Sequence, residues 1–170
     1  EFRRVLFRSK AATGDARVAW RGETGLIDLN VAPAELLQTL FRNAGASEAD
    51  ALSITEAIIE RRASDGRTVV VPFSHVAQIG EIGAPNSLLR RVRPSLTVYN
   101  GQPRIDPRIA SRDVLSTFPG MTEGRLRNML TLRERNVADV AQWTNEVGES
   151  ARFLTFERSP VIRVRVDARV

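Results

Sequence analysis

Two stretches of the chain carry the same side-chain types in the same order. IDLNVAPAELL spans residues 27 to 37 and IDPRIASRDVL spans residues 105 to 115, 78 positions apart. Ile27/Ile105, Asp28/Asp106, Ala32/Ala110 and Leu37/Leu115 are identical pairs, and Glu35/Asp113 keeps the charge. Each copy runs on into a glycine turn: Gly45-Ala46-Ser47-Glu48 matches Gly120-Met121-Thr122-Glu123. Asp28, Asn30, Asp106, Gly45 and Gly120 are therefore the candidate motif residues. A glycine turn ahead of a helix presents backbone N–H groups and the positive end of the helix dipole, which is phosphate-binding chemistry.

Helix, glycine hairpin, helix is the pattern of helix-hairpin-helix units, and two of them suggest a DNA grip. The side chains oppose that reading. The DNA-binding version alternates hydrophobic residues with two glycines, and here Thr122 stands at the second glycine position. Glu123 falls in the first turn of one helix, and Glu48 with Asp50 in the first turn of the other. Carboxylates there stabilise a helix by about 0.3–1 kcal/mol each and fill the anion site with the protein's own charge. The hairpins are read as scaffolding, with a DNA-binding module as the alternative.

Other chemistry is sparse. The chain has no cysteine, which excludes disulfides, thiolate metal sites and cysteine nucleophiles. Its single histidine, His75, follows Ser74 and precedes a short apolar segment. That context suits a helix start better than a catalytic base. Asp65-Gly66 alone is not a calcium ligand set. Arg61-Arg62 and Arg90-Arg91-x-Arg93 sit at expected helix C-termini, where arginine complements the dipole. Trp20 and Trp143 suit core or interface anchoring. No nucleophile, base and oxyanion arrangement emerges, so no enzyme is expected and no cofactor is evident.

The composition agrees with a soluble globular fold, with 42% hydrophobic residues in a chain of 170. No run of about 18 apolar residues is present to span a membrane. The net charge is +5. Residues 1–9 fit nothing that follows, and Arg4 to Ser9 reads as one frame of a common sequencing-library adaptor. They are expected to be non-native. Without their three arginines and Glu1 the balance falls to +3, a mild bias.

The elements follow from periodicity. Ala16 to Trp20 alternates as a strand. Pro33 is expected at the first position of a helix striped with Leu36, Leu37, Leu40 and Phe41, which Gly45 ends. Ser47-x-x-Asp50 opens a helix to about Arg62, with Leu52, Ala57, Ile58 and Ile59 as its apolar positions. Thr68 to Val71 reads as extended. Ser74 is the expected cap of the next short helix, and another lies around residues 87–92. SLTVY reads as a strand. The second repeat starts a helix at Ser111 or Asp113 that runs through Phe118. Thr122 caps the next helix, and Asn136 is the expected cap of the last. In VIRVRVDARV, Ile162, Val164, Val166, Ala168 and Val170 alternate with Arg163, Arg165, Asp167 and Arg169. That pattern predicts a strand with its apolar face buried.

Strand signals at both ends and helices between them predict an α+β fold. It is a pilin-like antiparallel sheet from residues 10–27 and 148–170, interrupted by a helical insertion over 28–147. The segments WRGETGLIDLNVAPAELLQTL, AIIERRASDG, VPFSHVAQIGEI, RVRPSLTVYNG and IDPRIASRDVLSTFPG occur in this order. Together they resemble the type II secretion system protein K family, the large minor pseudopilins, over residues 16 to 170. That resemblance implies a periplasmic domain on an N-terminal leader and inner-membrane anchor helix. It also implies a place at the tip of the pseudopilus beside the minor pseudopilins I and J. Some members of the family bind calcium, but no calcium ligand is carried over. Where the family reads Trp-Arg-Asp-x-Asp, only Arg62, Asp65 and Gly66 fit, with Arg61 and Ala63 standing in the other places.

Overall fold

The computed structural model describes residues 9–11, 14–63 and 72–169. Residues 1–8, the Ser64-Asp65-Gly66 turn, the Thr68–Val71 segment and Val170 lie outside them. In chain order the elements are β1 (Ser9–Ala11), β2 (Gly14–Gly22), β3 (Ile27–Asp28), α1 (Ala34–Asn43), α2 (Glu48–Arg62), α3 (Asn86–Val92), β4 (Leu96–Thr97), α4 (Arg112–Leu115), α5 (Glu123–Glu134), α6 (Val140–Val147) and β5 (Ile162–Arg169). Short 3-10 turns cover Glu23–Gly25, Val76–Ile82, Arg93–Ser95 and Gly148–Phe153. The architecture is α+β. β1, β2 and β5 form an antiparallel sheet in that order, and β3 pairs with β4 in parallel inside the helical body.

The hydrophobic core belongs to the helical body. It runs from Ile27 to Leu154 and draws on every α-helix. In α1 the expected stripe is buried: Leu36, Leu37, Leu40 and Phe41 all face inward. The helix begins one residue later than read, with Pro33 as its cap. Gly45 ends it at φ +92°, while the Ala46 N–H closes back on the Phe41 carbonyl at 3.0 Å. Ser47 caps α2 by accepting from the Asp50 N–H, and its hydroxyl donates to the Asp50 carboxylate at 2.6 Å.

The buried face of α2 differs from the expected one. Ala51, Ile54, Thr55 and Ile58 point inward, whereas Leu52 and Ile59 are exposed. The spacing i, i+3, i+4, i+7 decides the face. Thr55 is tolerated there because its hydroxyl donates to the Ala51 carbonyl at 2.7 Å. Two caps also moved. His75, not Ser74, caps the turn over Val76–Ile82, its Nδ1 accepting from the Ala77 N–H at 3.1 Å. Asp139, not Asn136, caps α6. Asn136 takes the left-handed conformation that ends α5, φ +50°, a conformation asparagine tolerates better than most residues. The first helix of the second copy is only the four residues of α4. Thr117 and Phe118 beyond it are buried in the turn that follows. SLTVY contributes only the two residues of β4 to a strand.

β5 alternates as expected, but neither of its faces is buried, and only Arg163 is partly covered. Ile162, Val164 and Val166 are 57%, 52% and 60% exposed, so the face expected to be buried lies open.

Gly45 gives a direct check on the hairpin. A Cβ there meets nothing closer than the Arg91 guanidinium at 3.7 Å, so the cost of Gly45→Ala is conformational alone. We expect a loss of about 1–2 kcal/mol, read as a lower urea midpoint with an unchanged slope.

Candidate functional site

Asp28 and Asp106 occupy matching positions in two matching loops. In the first copy Ile27 pairs with Leu96, and Asp28 then turns the chain. One of its carboxylate oxygens accepts from the Asn30 N–H at 2.8 Å and the other from the Gly101 N–H at 2.8 Å. Its carbonyl accepts from Val31 and Ala32. In the second copy Ile105 bridges Leu154. One Asp106 oxygen accepts from the Arg108 N–H at 3.0 Å, and both oxygens take the Arg108 guanidinium at 2.8 and 2.7 Å. Its carbonyl accepts from Ile109 and Ala110. Asp28 is 1% exposed and Asp106 4%. The hydrogen bond to Asp106 holds the Arg108 guanidinium above its ordinary pKa.

The copies agree further than the sequence comparison reached. Arg62, near the end of α2, donates to the Ala32 carbonyl at 2.9 Å. Arg133, in the last turn of α5, donates to the Ala110 carbonyl at 2.6 Å. Burial lowers the pKa of Arg62 and the Asp28 charge opposes that shift. Each copy then exits through Leu-Thr: Thr97 Oγ1 accepts from the Tyr99 N–H and Thr155 Oγ1 from the Glu157 N–H. The repeat therefore runs from Ile27 to about Tyr99 and from Ile105 to about Glu157. The signal was present as LT in SLTVY and LT in RFLTFER. It was masked because Leu96 follows Ile27 by 69 positions and Leu154 follows Ile105 by 49.

Asn30 has a separate task. Its amide donates to the Phe73 carbonyl at 2.9 Å and accepts from the Phe73 N–H at 2.8 Å, clasping the chain beyond α2. Gly45 and Gly120 (φ +71°) form the two turns. Their flanking acids are engaged by the chain itself: Glu48 takes Gln38 and Arg42, and Glu123 takes Arg112. Arg61 pairs with Glu81 at 2.9 Å and lies over the Phe73 ring. Among the described residues, no group of three or more histidine, aspartate and glutamate side chains is placed to hold a metal. What these loops do chemically is close donors on acceptors. They set the positions of helices.

The surface with unspent capacity is the sheet. β2 and β5 pair Val18 with Val166, Trp20 with Val164 and Gly22 with Ile162. These apolar side chains share one face. Trp20 is 39% exposed, beside the exposed valines and isoleucine of β5. Together they form an exposed apolar row across the two paired strands. The opposite face carries Arg17, Arg21, Arg163, Arg165 and Asp167. From there Arg163 reaches Glu23, with Nε to Oε1 at 2.8 Å and Nη2 to Oε2 at 3.1 Å. Glu23 is 1% exposed. Arg21 donates to the Pro94 carbonyl, and its pKa is lowered first by burial and then by the Arg163 charge. Gly25 lies so close to Ile109 that a Cβ would stand 3.0 Å from its backbone. Glu23 and Gly25 are thus the seam between sheet and helical body. Glu23 did not stand out in the sequence, where nothing separates it from a surface glutamate.

No family model matches the chain, and no curated protein matches it. Among solved structures it is similar to a chain of the GspK-GspI-GspJ complex from the enterotoxigenic Escherichia coli type 2 secretion system. The TM-score is 0.68 at 15% identity, over 99% of this chain and 78% of that one. At that identity the likeness defines the fold, which is α+β and pseudopilin-like.

The seam yields a measurable expectation. Glu23→Gln keeps the shape and removes the charge that meets Arg163. We expect a loss of about 1–3 kcal/mol in chemical denaturation. Arg163→Gln made in the same background should then cost clearly less than it does alone.

Proposed function

We propose that the chain is the periplasmic part of a minor pseudopilin of the type II secretion system, of the K type, acting at the pseudopilus tip. It supports protein secretion through contacts with I-type and J-type pseudopilins, and it is an assembly subunit rather than an enzyme. The observation that carries this reading is the likeness of nearly the whole chain to a chain of a GspK-GspI-GspJ complex. In this reading the β strands within residues 10–27 and 148–170 form the assembly module, with Ile27, Phe153 and Leu154 of those spans packed in the helical core. Residues 28–147 form a helical block built by two helix-hairpin-helix-like units, for which Asp28, Asn30, Asp106, Gly45 and Gly120 are scaffold. An inner-membrane anchor helix belongs to the reading through family resemblance, as does any calcium.

The open face of the sheet supports the proposal. Ile162, Val164, Val166 and Trp20 present an apolar surface that a working assembly covers, while on the opposite face Arg21 and Arg163 reach toward the helical body and Glu23. The face is therefore the surface that packs within the pseudopilus.

Full-length protein co-expressed with I-type and J-type pseudopilins is expected to co-purify with them. The double variant Val164→Asp, Val166→Asp should keep its fold by circular dichroism, because both side chains are exposed. Its stability should change by no more than about 0.5 kcal/mol per site, yet it should lose capture. Failure of the full-length wild-type protein to co-purify would refute the reading.

A further inference from the structure

Asn100-Gly101 is the only Asn-Gly pair in the chain. Such a pair is the most reactive in spontaneous deamidation, because glycine has no side chain to hinder attack by its own nitrogen. Here it is held in an arrangement that opposes the reaction. The Gly101 N–H donates to an Asp28 carboxylate oxygen at 2.8 Å. Asn100 is 4% exposed, and its amide nitrogen donates to the Leu26 and Gln102 carbonyls at 3.4 and 3.3 Å. Gly101 sits at φ +64°, fixed by the turn that leaves β4.

We propose that Asn100-Gly101 is a latent deamidation site that Asp28 keeps silent. In the reaction the Gly101 nitrogen gives up its proton and attacks the Asn100 side-chain carbonyl carbon. The new C–N bond closes a succinimide, and the Asn100 amide nitrogen leaves as ammonia, carrying that proton. Water then opens the ring at either carbonyl, giving aspartate or isoaspartate. The net change is asparagine plus water to an acid plus ammonia.

Asp28 blocks the first step twice. Its carboxylate holds the proton that must leave, and its negative charge opposes formation of an anionic nitrogen beside it. The hydrogen bonds from Asn100 to Leu26 and Gln102 also keep the electrophilic carbon from turning. The site therefore reacts only when the turn between β4 and the second copy opens.

The product cannot return to the native arrangement. An acid at position 100 has no N–H for the Leu26 carbonyl and brings a second carboxylate beside Asp28. Isoaspartate also adds a backbone methylene group ahead of Gly101, which moves that N–H off Asp28. One opening event is thereby converted into permanent loosening of β4 from β3.

The test is peptide mapping by mass spectrometry after incubation at mildly alkaline pH. Asn86-Ser87, exposed at the start of α3, serves as the internal clock. Asp28→Asn keeps the shape and removes the charge. It should raise isoaspartate at position 100 about tenfold, the loss of one charge-assisted hydrogen bond, with Asn86 unchanged. Wild-type protein unfolded in urea should accelerate at Asn100 at least as much. Deamidation of native wild-type protein as fast as that of the unfolded chain overturns the proposal, as does a folded Asp28→Asn variant no faster than wild type. Should the variant fail to fold, seen as Asn86 rising too, wild-type protein in sub-denaturing urea decides. Asn100 loss must then rise in step with hydrogen exchange at the Gly101 amide, and a rise without that exchange sinks the idea.

Discussion

A carboxylate taken out of water must be met by donors, and Asp28 and Asp106 meet that demand within the chain. Burial without partners would cost several kcal/mol. Each aspartate instead locks a turn two residues on and leads the chain into a helix. The remaining oxygen capacity differs between the copies. Asp28 binds the Gly101 amide and so ties the start of its copy to its exit. Asp106 binds Arg108, whose guanidinium also donates to the Phe156 carbonyl beyond the exit of the second copy. One buried acid therefore closes each copy on itself, through a backbone amide in one case and an arginine bridge in the other.

The two closures explain why the helical body tolerates unequal copies. After the glycine turn the first holds a fifteen-residue α2, the turn over Val76–Ile82 and α3, whereas the second holds a twelve-residue α5, α6 and the turn over Gly148–Phe153. What is kept is the frame: an entry strand, an aspartate turn, an arginine reaching back from the second helix, and a Leu-Thr exit. Helices between these points can lengthen or shorten, because the frame is fixed by hydrogen bonds to backbone groups rather than by matching side chains. The same economy shows at the glycine turns, where the acids of each following helix are satisfied by nearby chain donors.

Much of this was legible in residue order. The duplicated entry, the glycine that ends α1, the Ser47 cap and the alternation of β5 are local signals, and local physics honours them. What was hidden is non-local. Whether a face of β5 is covered depends on where the helical body sits, and from the charged face Arg163 reaches the buried Glu23. The inward face of α2 includes Thr55, whose hydroxyl spends itself on its own helix and so passes as apolar. The Leu-Thr exits were too short and too unevenly spaced to be seen as equivalent without the parallel pairing that joins them to Ile27 and Ile105.

The seam at Glu23 then sets the division between what is closed and what is open. With Glu23 bound to Arg163 and Arg21 donating to the Pro94 carbonyl, the charged face of the sheet is anchored at the end where Gly22 pairs with Ile162, while Arg165 and Asp167 stay exposed. Further along β5 both faces reach solvent, the charged one as well as the apolar one. Trp20, Ile162, Val164 and Val166 are open although β2 pairs with the whole length of β5. Other exposed apolar side chains of the described residues include Leu52 and Ile59 on α2, Val140 on α6 and Tyr99 just beyond β4. The sheet is thus held to the helical body at its Glu23 end, and its paired strands carry Trp20, Ile162, Val164 and Val166 in the open.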